Sequence, residues 1–280
     1  MKKYLALFLA CLMVLTCFAG CGAETPADDS TTTTTTGGGA EKIATVGYTI
    51  YEPMNYEDEN GKLVGFDTEL AEAVFQGLGY KVVFKLIDWD QKYTELNSGA
   101  ISCIWNGFTA NTADDDGVLR SEKVDFSYNY MGNKQVLVAK ADLAAAIADK
   151  KSLSGKVGAV ENSSAGDTYL TKELTGAIKK GVTSQLDAMK ELSMGAVDFA
   201  VVDEQLAKAY VGKGDYAGLA IAEKVYSDAE YYAIGFKKGS ELTANVNAQL
   251  EKLGADGTIE ALAKKYGVEN TAIKDFSDQK

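Results

Sequence analysis

The chain contains no histidine, one arginine and two prolines among its 280 residues. Without histidine there is no Ser–His or Cys–His nucleophile pair, and the commonest metal ligand is missing. Of four cysteines only Cys103 lies beyond residue 21, so no internal disulfide can form in that part of the chain. Cys103 sits in the apolar stretch AISCIW and reads as a small buried hydrophobe rather than a nucleophile. Zinc-ligand spacing and a Gly-rich phosphate loop are also lacking. Positive charge is scarce: the net charge is −12, and Lys2 and Lys3 at the extreme N-terminus already count towards it. So acidic a surface argues against nucleic acid and anionic lipid as partners, because both need a basic footprint.

What is present begins with MKKYLALFLACLMVLTCFAG: two lysines, an apolar run broken only by Thr16, then small residues. That is the layout of an export signal, and residues 4–19 fall short of the roughly 20 that a spanning helix needs. Cleavage before Cys21 would expose a cysteine as the new N-terminus. The stretch FAGC resembles the lipobox of bacterial lipoproteins, with Phe18 where leucine is commoner. Residues 1–20 are therefore expected to be a lipoprotein signal peptide and Cys21 the lipidated residue, two or more acyl chains sufficing for stable anchorage. Residues 21–41, with six threonines followed by three glycines, have little to bury and read as a flexible tether.

From there the composition turns globular and strands alternate with helices. KIATVGY (42–48) and YKVVFKLI read as strands around the helix FDTELAEAVFQGLG, whose Phe66, Leu70 and Val74 share one face. DQKYTELNSG predicts a short helix ending at Gly99, and AISCIWN a strand. A second series follows: KVGAV as strand, SSAGDTYLTKEL as helix, GVTSQLDAMKELSMG as turn and helix, AVDFAVVD as strand. AEYYAIGFKK reads as a further strand, and helices over 241–253 and 258–266 close the chain. Such alternation predicts an α/β protein with largely parallel sheets. Two half-length series imply two lobes, with a ligand beyond the carboxyl ends of strands.

YEPMNYEDENGKLVGFDTELAEAV, IWNGFT, RSEKVDFS, AVVDE and YAIGFKKGSEL followed by LGADGTIEALAKKYG occur in that order between residues 42 and 267. Together they resemble the family 3 solute-binding proteins of bacterial amino-acid ABC importers. The resemblance implies a two-lobed periplasmic-binding-protein-like fold (type II) with two crossover hinge strands, closing on one amino acid. The first lobe would comprise 42–130 and 232–280, the second 135–227. YNYMGNKQ and SDAEYY would be the hinge crossings. It further implies a binding protein rather than an enzyme, with no cofactor or metal. The monomer would be held at the outer face of the cell membrane by its N-terminal lipid and would serve ABC permease subunits.

An amino acid offers a carboxylate and an ammonium, and a planar guanidinium matches the carboxylate best. The lone arginine, Arg120, falls four residues ahead of Val124, where the family places its carboxylate-binding arginine. It follows Asp114, Asp115 and Asp116, and the intervening ANTADDDGVL is longer than the family spacing. A local reading therefore stands beside the ligand reading: Arg120 as an exposed salt bridge to those aspartates, worth about 0–1 kcal/mol. By resemblance Asn106, Gly107 and Thr109 in NGFT would add backbone and hydroxyl contacts. Ser164 and Ala165 would open a helix whose free N–H groups favour an anion. Asp203 in AVVDE would take the ammonium, or would merely cap the helix that follows. Ser164 with Asp167 also fits a capping box. Tyr48, Tyr51, Trp89 and Trp105 are expected to frame the ligand side chain, although aromatics at strand ends are as often core. Glu161 would meet a cationic head or an amide, favouring a polar amino acid. Two alternatives remain: a same-fold dehydratase acting on prephenate-like acids through its carboxylates, and a sensing module read by a separate receptor.

Overall fold

The computed structural model describes residues 41–279, part of one compact unit that begins at Glu41. The signal peptide, Cys21 and the tether through residue 40 lie outside the described residues. Two five-stranded sheets carry the fold. In the first, the spatial order is Tyr80–Leu86, Lys42–Tyr48, Cys103–Ile104, Gly235–Phe236, Asp125–Phe126. In the second it is Ile178–Val182, Val157–Glu161, Phe199–Asp203, Gln135–Lys140, Leu219–Tyr226. Between the sheets, Met131–Asn133 and Glu230–Tyr232 pair antiparallel as the two crossings.

The sheets are mixed rather than largely parallel. Three strands of each form a parallel set. The strand arriving directly from a crossing, Gln135–Lys140 or Gly235–Phe236, enters antiparallel to its neighbours. Ile178–Val182 is a strand where the sequence suggests the approach to a turn. Its IKKGV pairs only with Val157–Glu161, and lysines on such an edge mask the apolar alternation while discouraging further pairing.

Burial follows the expected periodicities. Phe66, Leu70 and Val74 on helix Phe66–Gly77 are fully buried, each burial stabilising by about 1.5–3 kcal/mol. In the second sheet Val136, Val138, Ala200 and Val202 pack in the cluster containing Ala188, Met189 and Leu192. Leu137, Ala139, Phe199 and Val201 pack on the other face with Leu153 and Leu170. Strands covered on both faces read as continuous apolar runs, as QVLVA and FAVV do. Helix Lys92–Ser98 stops at Gly99, which is left-handed with φ of 79°, a conformation glycine adopts at little cost.

Candidate functional site

The carboxyl ends of strands from both sheets face one another across a small, tightly closed cavity of about 10 Å³. Trp89, Asn106, Gly107, Thr109 and Arg120 line it from the first lobe. Gln135, Glu161, Ser164, Ala165, Gln185 and Asp203 line it from the second. Arg120 opens helix Arg120–Lys123 and is 1% exposed, so it is no surface salt bridge. Its Nε donates to Asp114 Oδ1 at 2.8 Å, its Nη1 to the Thr109 carbonyl at 3.2 Å and its Nη2 to the Ser163 carbonyl at 3.3 Å. The guanidinium lies 5.1 Å from the Phe108 ring centroid. The arginine is thus paired with Asp114 as a buried rather than an exposed ion pair, and it also lines the cavity.

Ser163 has φ of 57°, unusual for a residue with a side chain. This turn aims its carbonyl at the first lobe, where Lys92 Nζ also donates to it, at 3.0 Å. Lys92 is buried, and burial, with the Arg120 charge adding, lowers its pKa to about 7. Next along the chain, Ser164 caps helix Ala165–Glu173 by accepting from the Asp167 amide at 3.1 Å. The reciprocal contact of a capping box falls one residue early, from Ser163 N to Asp167 Oδ2 at 3.0 Å. The first amides of this helix have no intrahelical partner, and their dipole favours an anion.

The opposite wall is acidic. Asp203 does not cap its helix; Oδ1 accepts from Asn133 at 2.6 Å and from Gln135, and Oδ2 from Gln185. Glu230, at the second crossing, does not line the cavity but backs it, accepting from Gln135 at 2.9 Å and from Thr109 and Asn133 at 3.2 Å. Glu161 is 3% exposed, and its Oε1 has no partner. Burial, reinforced by the Asp203 charge, raises Glu161 to about 8 and Glu230 to about 7. Asp203 is also raised by burial, against its amide donors. No lysine or arginine forms an ion pair with any of these three carboxylates among the described residues.

Nine of the twelve anticipated residues meet at the cavity: Trp89, Asn106, Gly107, Thr109, Arg120, Glu161, Ser164, Ala165 and Asp203. Tyr48, Tyr51 and Trp105 do not line it. Tyr48 packs edge-on against Phe84. Tyr51 sits behind Gly107 with its hydroxyl 2.7 Å from that of Tyr232. Trp105 is fully buried against Phe75 and Tyr130. The period of two sends Trp105 to the core and Asn106 to the cavity. Gly107 was expected to offer its amide, yet that N–H donates to buried Asp67 Oδ2 at 3.0 Å, and the Thr109 hydroxyl donates to Glu230. Gly107 has φ of 57°, and a Cβ there would come within 2.7 Å of the Tyr51 ring, so this turn requires glycine. Gln135, Gln185 and Lys92 went unanticipated. Gln135 meets Asp203 through the register of two paired strands, and Gln185 opens the helix that follows the edge strand.

This two-lobed α/β arrangement, with a buried polar cavity beyond strand ends, defines a ligand-binding protein that grips between lobes. Residues 44–269 match the bacterial extracellular solute-binding proteins, family 3, and the chain belongs to that family. Among curated proteins it is similar to the L-cystine-binding protein TcyA of Bacillus subtilis (strain 168), at 29% identity over 95% of this chain and 97% of the relative. Among solved structures it is similar to an ancestral arginine-binding protein bound to arginine. That match has 34% identity and a TM-score of 0.73, covering 81% of this chain and 98% of the other. It is also similar to the ancestral amino-acid-binding protein AncCDT-1, a precursor of cyclohexadienyl dehydratase. Here identity is 28% and the TM-score 0.69, covering 80% of this chain and 94% of the other.

Proposed function

We propose that this chain binds one amino acid between its lobes and delivers it to the permease subunits of an ABC importer. The observation that carries the reading is a buried guanidinium and buried carboxylates lining one cavity from opposite lobes. Arg120 and the first amides of helix Ala165–Glu173 would hold the carboxylate. Asp203, fixed by three amide donors, would accept the ammonium. Glu161, with its unpartnered oxygen, would receive an N–H of the ligand side chain, favouring a polar or cationic amino acid. Gripping from both sides makes the closed arrangement the one the zwitterion favours. In this reading the chain is a monomer and not an enzyme, and neither nucleic acid nor a cofactor takes part. Cys21 carries the lipid that holds it at the outer face of the cell membrane.

A thermal-shift panel tests this on the unit from residue 42 onward, unfolded and refolded to remove carried-over ligand. The panel holds the twenty amino acids, cystine, ornithine and prephenate-like acids. A ligand at a thousandfold its Kd stabilises by about 4 kcal/mol, so a clear shift with one amino acid or a related group is expected. Silence across all amino acids would overturn the reading. The AncCDT-1 likeness and the burial that raises Glu161 favour one second reading, a dehydratase in which Glu161 serves as general acid. Turnover of a prephenate-like acid, lost in Glu161→Gln, would establish it.

A further inference from the structure

The loop of residues 110–119, between Thr109 and Arg120, is a built element. Ala113 bridges Leu119, Asp114 N donates to Val118 O at 3.0 Å, and Arg120 N donates to Thr112 O at 3.1 Å. This small hairpin turns Asp114 inward, 7% exposed, while Asp116 stays out. Asp114 Oδ1 takes Arg120 Nε, and Oδ2 accepts from the Tyr93 hydroxyl at 2.7 Å and Lys123 Nζ at 2.9 Å. A guanidinium has five N–H groups. Three are engaged by Asp114, Thr109 and Ser163, leaving one on each terminal nitrogen. With Nε held by Asp114, the N–H groups left for a planar anion are those on the terminal nitrogens Nη1 and Nη2.

The same hairpin reaches the other lobe. Thr168 Oγ1, with one proton to give, lies within hydrogen-bond reach of Ala113 O at 3.2 Å and Asp115 Oδ1 at 3.3 Å, and Lys172 Nζ approaches Asp114 O at 3.4 Å. Both side chains belong to helix Ala165–Glu173, whose start lines the cavity. Residues 113–115 therefore touch both anion-facing parts, the guanidinium and the helix that opposes it.

We propose that Asp114 is a positioning residue: it fixes Arg120 so that its unengaged terminal N–H groups serve the cavity, and its hairpin latches that arrangement to helix Ala165–Glu173 of the second lobe. Resting on the amino-acid reading above, this identifies how the carboxylate side of the site is set. An unpaired Arg120 would have rotamers to choose among, and ordering them would oppose binding. Pre-pairing with a buried carboxylate removes that cost before the anion arrives.

Because Arg120 is the only arginine, arginine-selective ¹⁵N labelling gives a single Nε–H signal, readable without any ligand. In the unit from Glu41 that signal is expected to be single, shifted downfield and slow to exchange with water. Asp114→Asn should move it and speed exchange at least tenfold, while Asp116→Asn should leave it in place. An unchanged signal in Asp114→Asn would overturn the positioning role, whether or not amino acids bind. The second measurement is the affinity for L-arginine against L-argininamide, and for L-glutamine against its α-amide. Asp114→Asn should weaken binding of the acid about tenfold or more and the amide far less, so that preference for the carboxylate shrinks. Equal weakening of both would mean a merely structural role and would also overturn the proposal. Thr168→Val should speed dissociation of whichever acid binds without changing that preference; an unchanged off-rate would overturn the latch. Absence of binding by every amino acid would overturn the amino-acid reading, and the Nε–H signal would still decide Asp114.

Discussion

The two walls of the cavity are built on opposite electrostatic plans. On the basic wall, Arg120 is already neutralised by Asp114, itself flanked by Lys123 and Tyr93. Burial would raise the pKa of Asp114, but the Arg120 charge and these donors hold it down at about 2. On the acidic wall, Asp203 is held by neutral amides, and Glu230 behind it by amides and a hydroxyl. Glu161 lacks even that on one oxygen, and all three rise in pKa through burial. A buried charge is tolerable when paired and costly when bare. The basic wall is thus fixed in advance, and the acidic wall gains most when a cation arrives.

The sharpest way to break the comparison is to remove one pole of each wall. Arg120→Ala should weaken amino-acid binding by about 2–5 kcal/mol, through a desolvated carboxylate left unpaired. Asp203→Asn should cost a similar amount for amino acids while sparing analogues without an ammonium, as calorimetric titration would read. Equal loss for both ligand types would remove Asp203 from its role. Gly107→Ala should come next in size. A side chain at φ of 57° against the Tyr51 ring should destabilise the fold by about 1–3 kcal/mol, seen as a lower urea midpoint.

Proton linkage sharpens the contrast further. Glu161 and Glu230 keep their protons in the fold at pH values where the unfolded chain has lost them. Between about pH 5 and 7 the native state therefore binds more protons, and its stability should fall as pH rises. Asp114 acts the other way, adding stability above the ordinary carboxylate range that is lost as pH falls towards 2. The Tm of the ligand-free unit should decline from pH 5 to 7, and Glu161→Gln should flatten that slope. A cationic side chain at Glu161 should expel its proton, so binding at pH 7 should release protons into buffer, and release should diminish in Glu161→Gln. The smallest effect belongs to Asp116→Asn. Its ion pair with Lys123 is 54% exposed on the aspartate side, and the urea midpoint should barely move.

Much of this was legible before any coordinates. The strand Lys42–Tyr48 and the helix Phe66–Gly77 stand where periodicity placed them, because one face of each is apolar at the right spacing. Arg120 stood out because it is the only guanidinium in the chain. Its environment was not legible: three consecutive aspartates in sequence become one buried partner, one contact to the second lobe and one exposed residue. Gln135 and Gln185 could not be read as site residues either. One follows a crossing and the other opens the helix after an unrecognised edge strand, so their approach to Asp203 depends on pairings some 18 to 68 residues apart.

Sequence by itself determined the acidic two-series α/β chain and the chemical types available for holding a zwitterion, since these follow from composition and short-range periodicity. Tertiary structure decided which aromatics became core and which of the aspartates met Arg120. It also decided that Glu161 stands with an unpartnered oxygen opposite a guanidinium that is already paired. Those outcomes depend on desolvation and on contacts between distant segments, and neither is a property of any local stretch of sequence.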